Sequence, residues 1–80
     1  MRVPIVLPVL AVAMEQAVVV SWLKSVGSPI HSQEPIVVVE TDKNAVELES
    51  PVEGVLVEIV VGEGEVANVS TVLAYVESNG

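Results

Sequence analysis

A single lysine lies in the middle of the chain, in the stretch ETDKN at residues 40–44. It is Lys43, and the only other basic residues of the 80 are Arg2 and Lys24. A lysine in such a place is usually ordinary solvated surface. It can also be a primary amine that is presented to another protein for covalent modification. The acidic neighbours Glu40 and Asp42 favour the protonated amine, so a modifying enzyme would have to supply the base.

Other groups capable of chemistry are sparse. The chain has no cysteine, and His31 is its one histidine, so a thiol nucleophile and a Cys/His metal site are both excluded. Glu58, Glu63 and Glu65 resemble a carboxylate cluster, but acidic residues near strand ends are more typical of solvated surface. No set of nucleophile, base and acid can be assembled. The sequence therefore favours a domain without catalytic activity of its own.

Length, charge and composition narrow the class further. Eighty residues make one small domain. The net charge of −8 argues against a nucleic-acid partner, which would need clustered Lys and Arg, and against an anionic membrane surface. The same charge suits partners with basic docking surfaces. Valine dominates the apolar residues, which favours β-strands over helices.

Short strands and turns explain most of the pattern along the chain. In the segment at 45–49, Val46 and Leu48 alternate with polar or small residues, which predicts one buried and one exposed face. A four-residue turn joins this strand to the preceding one and has Asp42 and Lys43 at its centre. Predicted strands cover residues 3–7, 18–24, 36–40, 45–49, 55–60 and 72–76.

The chain also repeats itself. The segment AVVVSWLKSVG at 17–27 aligns with GVLVEIVVGEG at 54–64, an offset of 37. The same offset relates Trp22 to Ile59, and we expect Trp22 to be largely buried near Ile59. Neither half could bury its apolar face alone, so the two halves should pack together as superimposable units.

With these residues in place, the sequence resembles a lipoyl domain of the 2-oxoacid dehydrogenase complexes. The motif ETDKN matches the family's Glu-Thr-Asp-Lys-Ala signature at a hairpin tip, and the likeness covers nearly the whole chain. Further matches are LP at 7–8, MEQ at 14–16, WLK at 22–24, SPVEGVL at 50–56 and EGE at 63–65. The resemblance implies an all-β flattened barrel, or sandwich, of two four-stranded antiparallel sheets related by a quasi-twofold axis.

The resemblance also implies a function. Lys43 would carry lipoic acid in amide linkage, with Glu40 and Asp42 recognised by the modifying lipoate ligase or lipoyltransferase. The domain would be a non-catalytic swinging arm within a dihydrolipoamide acyltransferase. It would carry acyl groups and electrons between a thiamine-dependent 2-oxoacid decarboxylase, the acyltransferase core and a flavoprotein dihydrolipoyl dehydrogenase. A pyruvate- or acetoin-type complex fits the start of the chain, LPVLAVAMEQ, better than a 2-oxoglutarate complex.

Several alternatives stay open at this stage. A biotin carrier domain has the same fold and hairpin lysine, but that lysine normally lies between two methionines, whereas Lys43 is flanked by Asp42 and Asn44. The glycine-cleavage carrier is another lipoyl relative, although larger. An unmodified β-sandwich interaction module is the alternative from a different class. We expect a domain at 1–77, a linker starting at 78–80, and a location in a bacterial cytoplasm or a mitochondrial matrix.

Some positions depart from the family pattern. Glycine is usual at the positions of Ala17, Gln33 and Ser70, where it would serve turns with unusual backbone angles, so its replacement should cost stability. The loop at 9–13 is more apolar than family loops, and we expect it to fold over a sheet edge or to mediate weak self-association.

Overall fold

The computed structural model describes residues 1–10, 13–41 and 44–78. These residues form eight strands and no helix, so the predicted all-β class is confirmed. Within these ranges no helix is long and apolar enough to cross a bilayer. The strands are β1 (Arg2–Val6), β2 (Gln16–Trp22), β3 (Pro29–Ile30), β4 (Pro35–Glu40), β5 (Ala45–Glu49), β6 (Gly54–Ile59), β7 (Val66–Asn68) and β8 (Val72–Ser78).

The strands form two four-stranded sheets, and each sheet takes two strands from each half of the chain. Sheet A has the order β1-β8-β6-β3, and sheet B has the order β5-β4-β2-β7. Every pairing is antiparallel. Adding four to each strand number, with the count returning to β1 after β8, converts the order of sheet A into the order of sheet B. The predicted quasi-twofold repeat is therefore confirmed at the level of topology.

The registers of the strand pairs repeat as well. Val18 lies opposite Glu40 in sheet B, and Val55 lies opposite Glu77 in sheet A, both displaced by 37. The pair Ala45–Glu40 in sheet B is likewise equivalent to the pair Arg2–Glu77 in sheet A. Here the edge-strand residues Arg2 and Ala45 are 43 positions apart, whereas Glu40 and Glu77 are again 37 apart. The two offsets differ by six. The first half thus holds six additional residues between its first two strands, in the loop that follows Pro8.

The core lies between the sheets and consists of aliphatic side chains. Its largest fully buried members are Leu7, Ile30, Ile36, Leu56 and Leu73. Burying one such side chain contributes roughly 1.5–3 kcal/mol, and the strand alternation produces this burial by turning every second side chain inward. In β5 the alternation is as predicted, with Leu48 buried, Val46 half-buried and Glu47 exposed.

Several sequence-based boundaries need correction. The first strand ends at Val6 rather than residue 7, and the second spans 16–22 rather than 18–24. Strands β3 and β7 are absent from the prediction because two- and three-residue strands carry no periodic signal. Ser78, expected in the linker, is the last residue of β8. Residues 79 and 80 lie outside the described residues. Trp22 is half-buried rather than largely buried.

The missing glycines divide into two kinds. Gln33 and Ser70, equivalent at the offset of 37, both have positive φ, at 67° and 72°. They occupy left-handed turn positions that favour glycine, as predicted. The expectation for Ala17 was wrong, because Ala17 lies within β2 and is buried in the core. Its counterpart Gly54 has no room for a side chain, since a Cβ there would stand 2.0 Å from the Glu77 carbonyl oxygen.

The apolar loop after β1 folds partly over the barrel. Leu10 packs against the core, and its backbone N–H points to the Met14 sulfur at 3.3 Å. Val9 stays 65% exposed, and Val12 lies outside the described residues. Leu10 thus packs on the barrel as the first of the two expectations requires, whereas Val9 does not, and self-association of the loop stays a prediction.

Candidate functional site

The β4–β5 hairpin has a base that is tied by hydrogen bonds. Glu40 ends β4 and lies opposite Ala45, which begins β5. One step further out, the Thr41 backbone N–H donates to the Asn44 carbonyl oxygen at 2.8 Å. The Thr41 hydroxyl also donates to that carbonyl at 3.2 Å and accepts the Asn44 N–H at 3.3 Å. These bonds fix the separation of the two chain segments between which residues 42 and 43 are inserted.

The predicted site residues are only partly within the described structure. Glu40 is exposed at the end of β4, as expected for a recognition residue. Asp42 and Lys43 lie outside the described residues. Sequence reasoning identified the hairpin but not the paired roles of Thr41 and Asn44. The Thr-x-x-Asn spacing, with a hydroxyl able to close a turn, was the available signal.

The other two basic side chains both take part in ion pairs. Lys24 Nζ lies 2.6 Å from Glu34 Oε2. This charged hydrogen bond, together with the His31 N–H donated to the same carboxylate, lowers the pKa of Glu34 below its usual value. Arg2 Nη1 lies 3.5 Å from Glu58 Oε1, and its guanidinium stacks 5.3 Å from the centre of the Tyr75 ring. The ion pair of Lys24 with Glu34 stabilises a turn, and the Arg2 side chain covers part of sheet A.

The remaining candidates for chemistry have structural partners. Glu63 accepts the backbone N–H of Trp22 at 2.9 Å, and Glu65 accepts that of Gly62 at 2.5 Å. Because Glu58 pairs with Arg2, each of the three acids of the suspected cluster has a different partner, and they do not form one site. Among the described residues, no group of His, Cys, Asp and Glu could hold a metal ion. The half-buried Trp22 donates its indole N–H to the Val61 carbonyl oxygen at 2.9 Å, which joins the two halves of the chain.

A hairpin with this base, in a two-sheet barrel of this order, can be compared with known proteins. A protein-family model described as "Biotin-requiring enzyme", the biotin/lipoyl family, matches residues 3–76. The chain belongs to this family. The resemblance to lipoyl domains drawn from the sequence is confirmed by the relatives described next.

Curated relatives of this biotin/lipoyl domain are acyltransferase components. The chain is 38% identical over 76 residues to the dihydrolipoyllysine-residue acetyltransferase component of the acetoin cleaving system of Bacillus subtilis. It is 40% identical over 78 residues to the dihydrolipoyllysine-residue succinyltransferase component of the 2-oxoglutarate dehydrogenase complex of Bartonella vinsonii. These alignments cover 95% and 98% of the chain but 19% of each relative. The chain thus spans about a fifth of the length of these relatives.

A solved structure confirms the fold of this biotin/lipoyl domain independently. It is the solution structure of the lipoyl domain of the 2-oxoglutarate dehydrogenase complex from Azotobacter vinelandii. The similarity has a TM-score of 0.79 at 29% identity and covers 98% of this chain and 99% of that one. The match therefore extends over nearly the whole length of both chains.

Proposed function

We propose that this domain is a lipoyl carrier and that Lys43 bears lipoic acid in amide linkage. The supporting observation is the Glu-Thr-Asp-Lys sequence at a hydrogen-bonded hairpin in a chain that belongs to the biotin/lipoyl family. The two other basic residues of the chain, Arg2 and Lys24, take part in ion pairs, so neither competes well for modification. When bound, the lipoyl group supplies a dithiolane, which is sulfur chemistry that this cysteine-free chain lacks.

The role of the chain's own residues is presentation. The bonds between Thr41 and Asn44 hold the base of the turn, and a rigid base limits the positions from which a modifying enzyme must capture the amine. Glu40 and Asp42 place negative charge beside that amine. They are the residues that we assign to recognition by a lipoate ligase or lipoyltransferase with a basic surface. The domain itself has no catalytic role in this proposal.

The carrier would serve an acyltransferase of a 2-oxoacid dehydrogenase complex, of pyruvate or acetoin type. Its partners would be the thiamine-dependent decarboxylase, the acyltransferase core and the dihydrolipoyl dehydrogenase. This assignment is supported by relatives named as acetyltransferase components of an acetoin cleaving system and of pyruvate dehydrogenase complexes. Attachment to such an assembly raises the effective concentration of the carrier at each active site. A bacterial cytoplasm or a mitochondrial matrix remains our proposed location.

Biotin is the second candidate cofactor, because the family includes biotin-requiring enzymes. Two observations favour lipoate. Lys43 is flanked by Asp42 and Asn44 rather than by methionines. The relatives described above are dihydrolipoyllysine proteins.

Intact-mass measurement with peptide mapping tests the proposal. The purified protein is incubated with lipoate ligase, lipoate and ATP, and in parallel with biotin ligase, biotin and ATP. We expect the mass of one lipoyl group on Lys43, no addition in Lys43→Gln, and full modification of the control Lys24→Gln. Exchanging Asp42 and Lys43 keeps composition and charge but moves the amine by one residue, so most lipoylation should be lost.

Each contrary result has a distinct meaning. Uptake of biotin instead of lipoate would select the second candidate. If the protein with Asp42 and Lys43 exchanged is lipoylated as well as the native protein, the modifying enzyme does not select the position of the amine. Lys43 would then be only an accessible surface lysine. A native protein that accepts neither group would overturn the carrier function.

A further inference from the structure

A groove runs along the seam where the edge strands of the two sheets face each other. Within the described residues, β1 pairs only with β8 and β5 only with β4, so each of the two strands has an unpaired outer edge. Residues of both strands line the groove. The groove is open to solvent and has a volume of about 380 Å³. That volume lies at the lower end of the range of small-molecule sites, which is about 300–1,000 Å³.

The lining is apolar apart from two carboxylates. Ile5 and Leu48 are its buried residues, and Pro8 and Pro51 contribute further apolar surface. Glu47 and Glu49 also line it and are exposed, and its lining includes no basic side chain among the residues that the structure describes. The groove therefore disfavours anionic ligands, such as free fatty acids or phosphates, and suits a neutral apolar chain.

The groove is symmetric except toward the hairpin. Most of its lining consists of residue pairs related by the offset of 43, such as Ile5 with Leu48 and Pro8 with Pro51. Two lining residues break this symmetry. Val46 lines the groove whereas its counterpart Val3 does not, and Leu10 lies in the loop that is six residues longer than its counterpart in the second half. Because Val46 is the lining residue of β5 nearest the hairpin, the groove extends toward the hairpin.

We propose that this groove is a resting site for the apolar arm carried by Lys43, an inference that rests on the proposed lipoyl function. Residue 43 precedes Val46 by three positions, which is about 10 Å of extended chain. The lysine side chain and an eight-carbon acyl group together reach roughly 14 Å by ordinary bond lengths. In amide linkage the arm carries no charge, so Glu47 and Glu49 do not repel it.

Tethering makes weak contacts sufficient. An arm attached beside its own groove experiences an effective concentration of the order of millimolar, so a site too weak to hold free lipoate can still be occupied. A second copy of the chain is a poorer occupant, because two chains of net charge −8 repel each other and Glu47 and Glu49 line the contact. The apolar loop then has a function in this proposal, because Leu10 forms a wall of the groove that has no equivalent in the other half of the barrel.

The test compares the lipoylated and unmodified domain by NMR with labelled Ile, Leu and Val methyl groups. Intact mass first establishes that Lys43 is loaded. We expect nuclear Overhauser contacts between arm methylenes and the methyl groups of Leu10 and Val46, and none to Val55 on the outer face of sheet A. The methyl resonances of Leu10 and Val46 should also shift on loading.

A kinetic measurement uses a matched pair of loop variants. Leu10→Ser removes a groove wall, whereas Val9→Ser changes the exposed neighbour, which does not line the groove. If the arm rests in the groove about two thirds of the time, reduction of its ring by a small phosphine should be roughly threefold faster in Leu10→Ser than in the native protein. Val9→Ser should match the native rate.

The outcomes separate the two proposals. If no lipoate is attached, the carrier function fails and the resting site fails with it. If the native domain is loaded but has no arm-to-groove contacts, only the resting site is overturned. That NMR measurement decides the question even if Leu10→Ser does not fold. Equal reduction rates in the native protein and a folded Leu10→Ser would likewise overturn the resting site alone.

Discussion

The outer faces of sheets A and B have the same backbone register but different side chains. On sheet A, Arg2 lies between Glu58 and the Tyr75 ring. The equivalent positions on sheet B carry Ala45, Ser21 and Val38. The charged side chains on the outer face of sheet A thus pair with one another, whereas the described residues on the outer face of sheet B include no basic side chain.

Sheet B accordingly presents exposed valines and acids together. Val18, Val20 and Val66 are 36%, 45% and 54% exposed on its outer face. Glu40 and Glu47 are exposed on β4 and β5 of the same sheet. The strand ladders thus determine the barrel and leave the surface side chains free to diverge. The hairpin that we assign to lipoylation belongs to the sheet whose face lacks charge compensation.

The largest expected difference between the sheets lies at Gly54 and its counterpart Ala17. In sheet A, β8 continues to Ser78 and passes directly beside Gly54. In sheet B, the pairing of β2 with β4 begins only at Val18 and Glu40, which leaves room for the Ala17 methyl. Gly54→Ala should therefore reduce the free energy of unfolding by about 3 kcal/mol or prevent folding. Ala17→Gly should cost only about 1 kcal/mol.

Urea denaturation of both variants measures this contrast. Similar losses of unfolding free energy in Gly54→Ala and Ala17→Gly would contradict the prediction. They would mean that the close approach of the Glu77 backbone to Gly54 does not make this position more sensitive than its counterpart.

A smaller and opposite effect is expected at the paired turns. Gln33 and Ser70 hold positive φ at equivalent places, where a side chain costs energy that glycine avoids. Gln33→Gly and Ser70→Gly should each raise the free energy of unfolding by about 0.5–1 kcal/mol. The neighbouring Ser32, exposed and without positive φ, is the control, and Ser32→Gly should not stabilise. A loss of stability in either turn variant, measured by urea denaturation, would contradict the prediction.

The smallest effect concerns pH and the ion pair between Lys24 and Glu34. Hydrogen bonding to Lys24 and to the His31 N–H lowers the folded-state pKa of Glu34 below 4.5. The resulting stabilisation is present above pH 4.5 and is lost as the pH falls through the lowered pKa. Glu34→Gln should therefore have a flatter stability profile between pH 5 and pH 3 than the native protein.

Glu49→Gln is the matched control for this pH effect, because it removes an exposed carboxylate for which the described structure has no ion pair. Thermal unfolding across the pH range would contradict the prediction if Glu34→Gln were as acid-sensitive as the native chain.

Much of the fold could be predicted from local pattern. Alternation located β5 without error, and the repeat at 37 predicted two equivalent halves that pack together. The exchange of strands between the sheets was not predicted and follows only from the strand pairing. Strands β3 and β7 could not be found, because Pro29–Ile30 and Val66–Asn68 are too short to have a period and depend on their partner strands. The break in the repeat at the β1–β2 loop is visible only once the registers of both edge strands are known.

The candidate site depends on a different kind of signal. The chemistry that we propose for Lys43 rests on the residue types of the surrounding motif, because no physical property of the lysine alone points to it. The groove could not be predicted, because its lining residues, such as Leu10 and Val46, come from segments that are far apart in sequence. The environment of Glu34 was also hidden, since its partner Lys24 lies in another strand-to-strand connection.

The exchange of strands between the sheets bears on how such a barrel can originate. Each half of the chain supplies two strands to each sheet, so the sequence of one half-length peptide can specify the strand pairing of both sheets. Two copies of such a peptide would build the complete barrel as a dimer with a single twofold axis, in which each contact occurs twice. Gene duplication and fusion would turn that dimer into one chain. The copies would then be free to diverge, the first acquiring the longer loop after β1, and the second acquiring Glu58 and Tyr75, which contact Arg2 of the first.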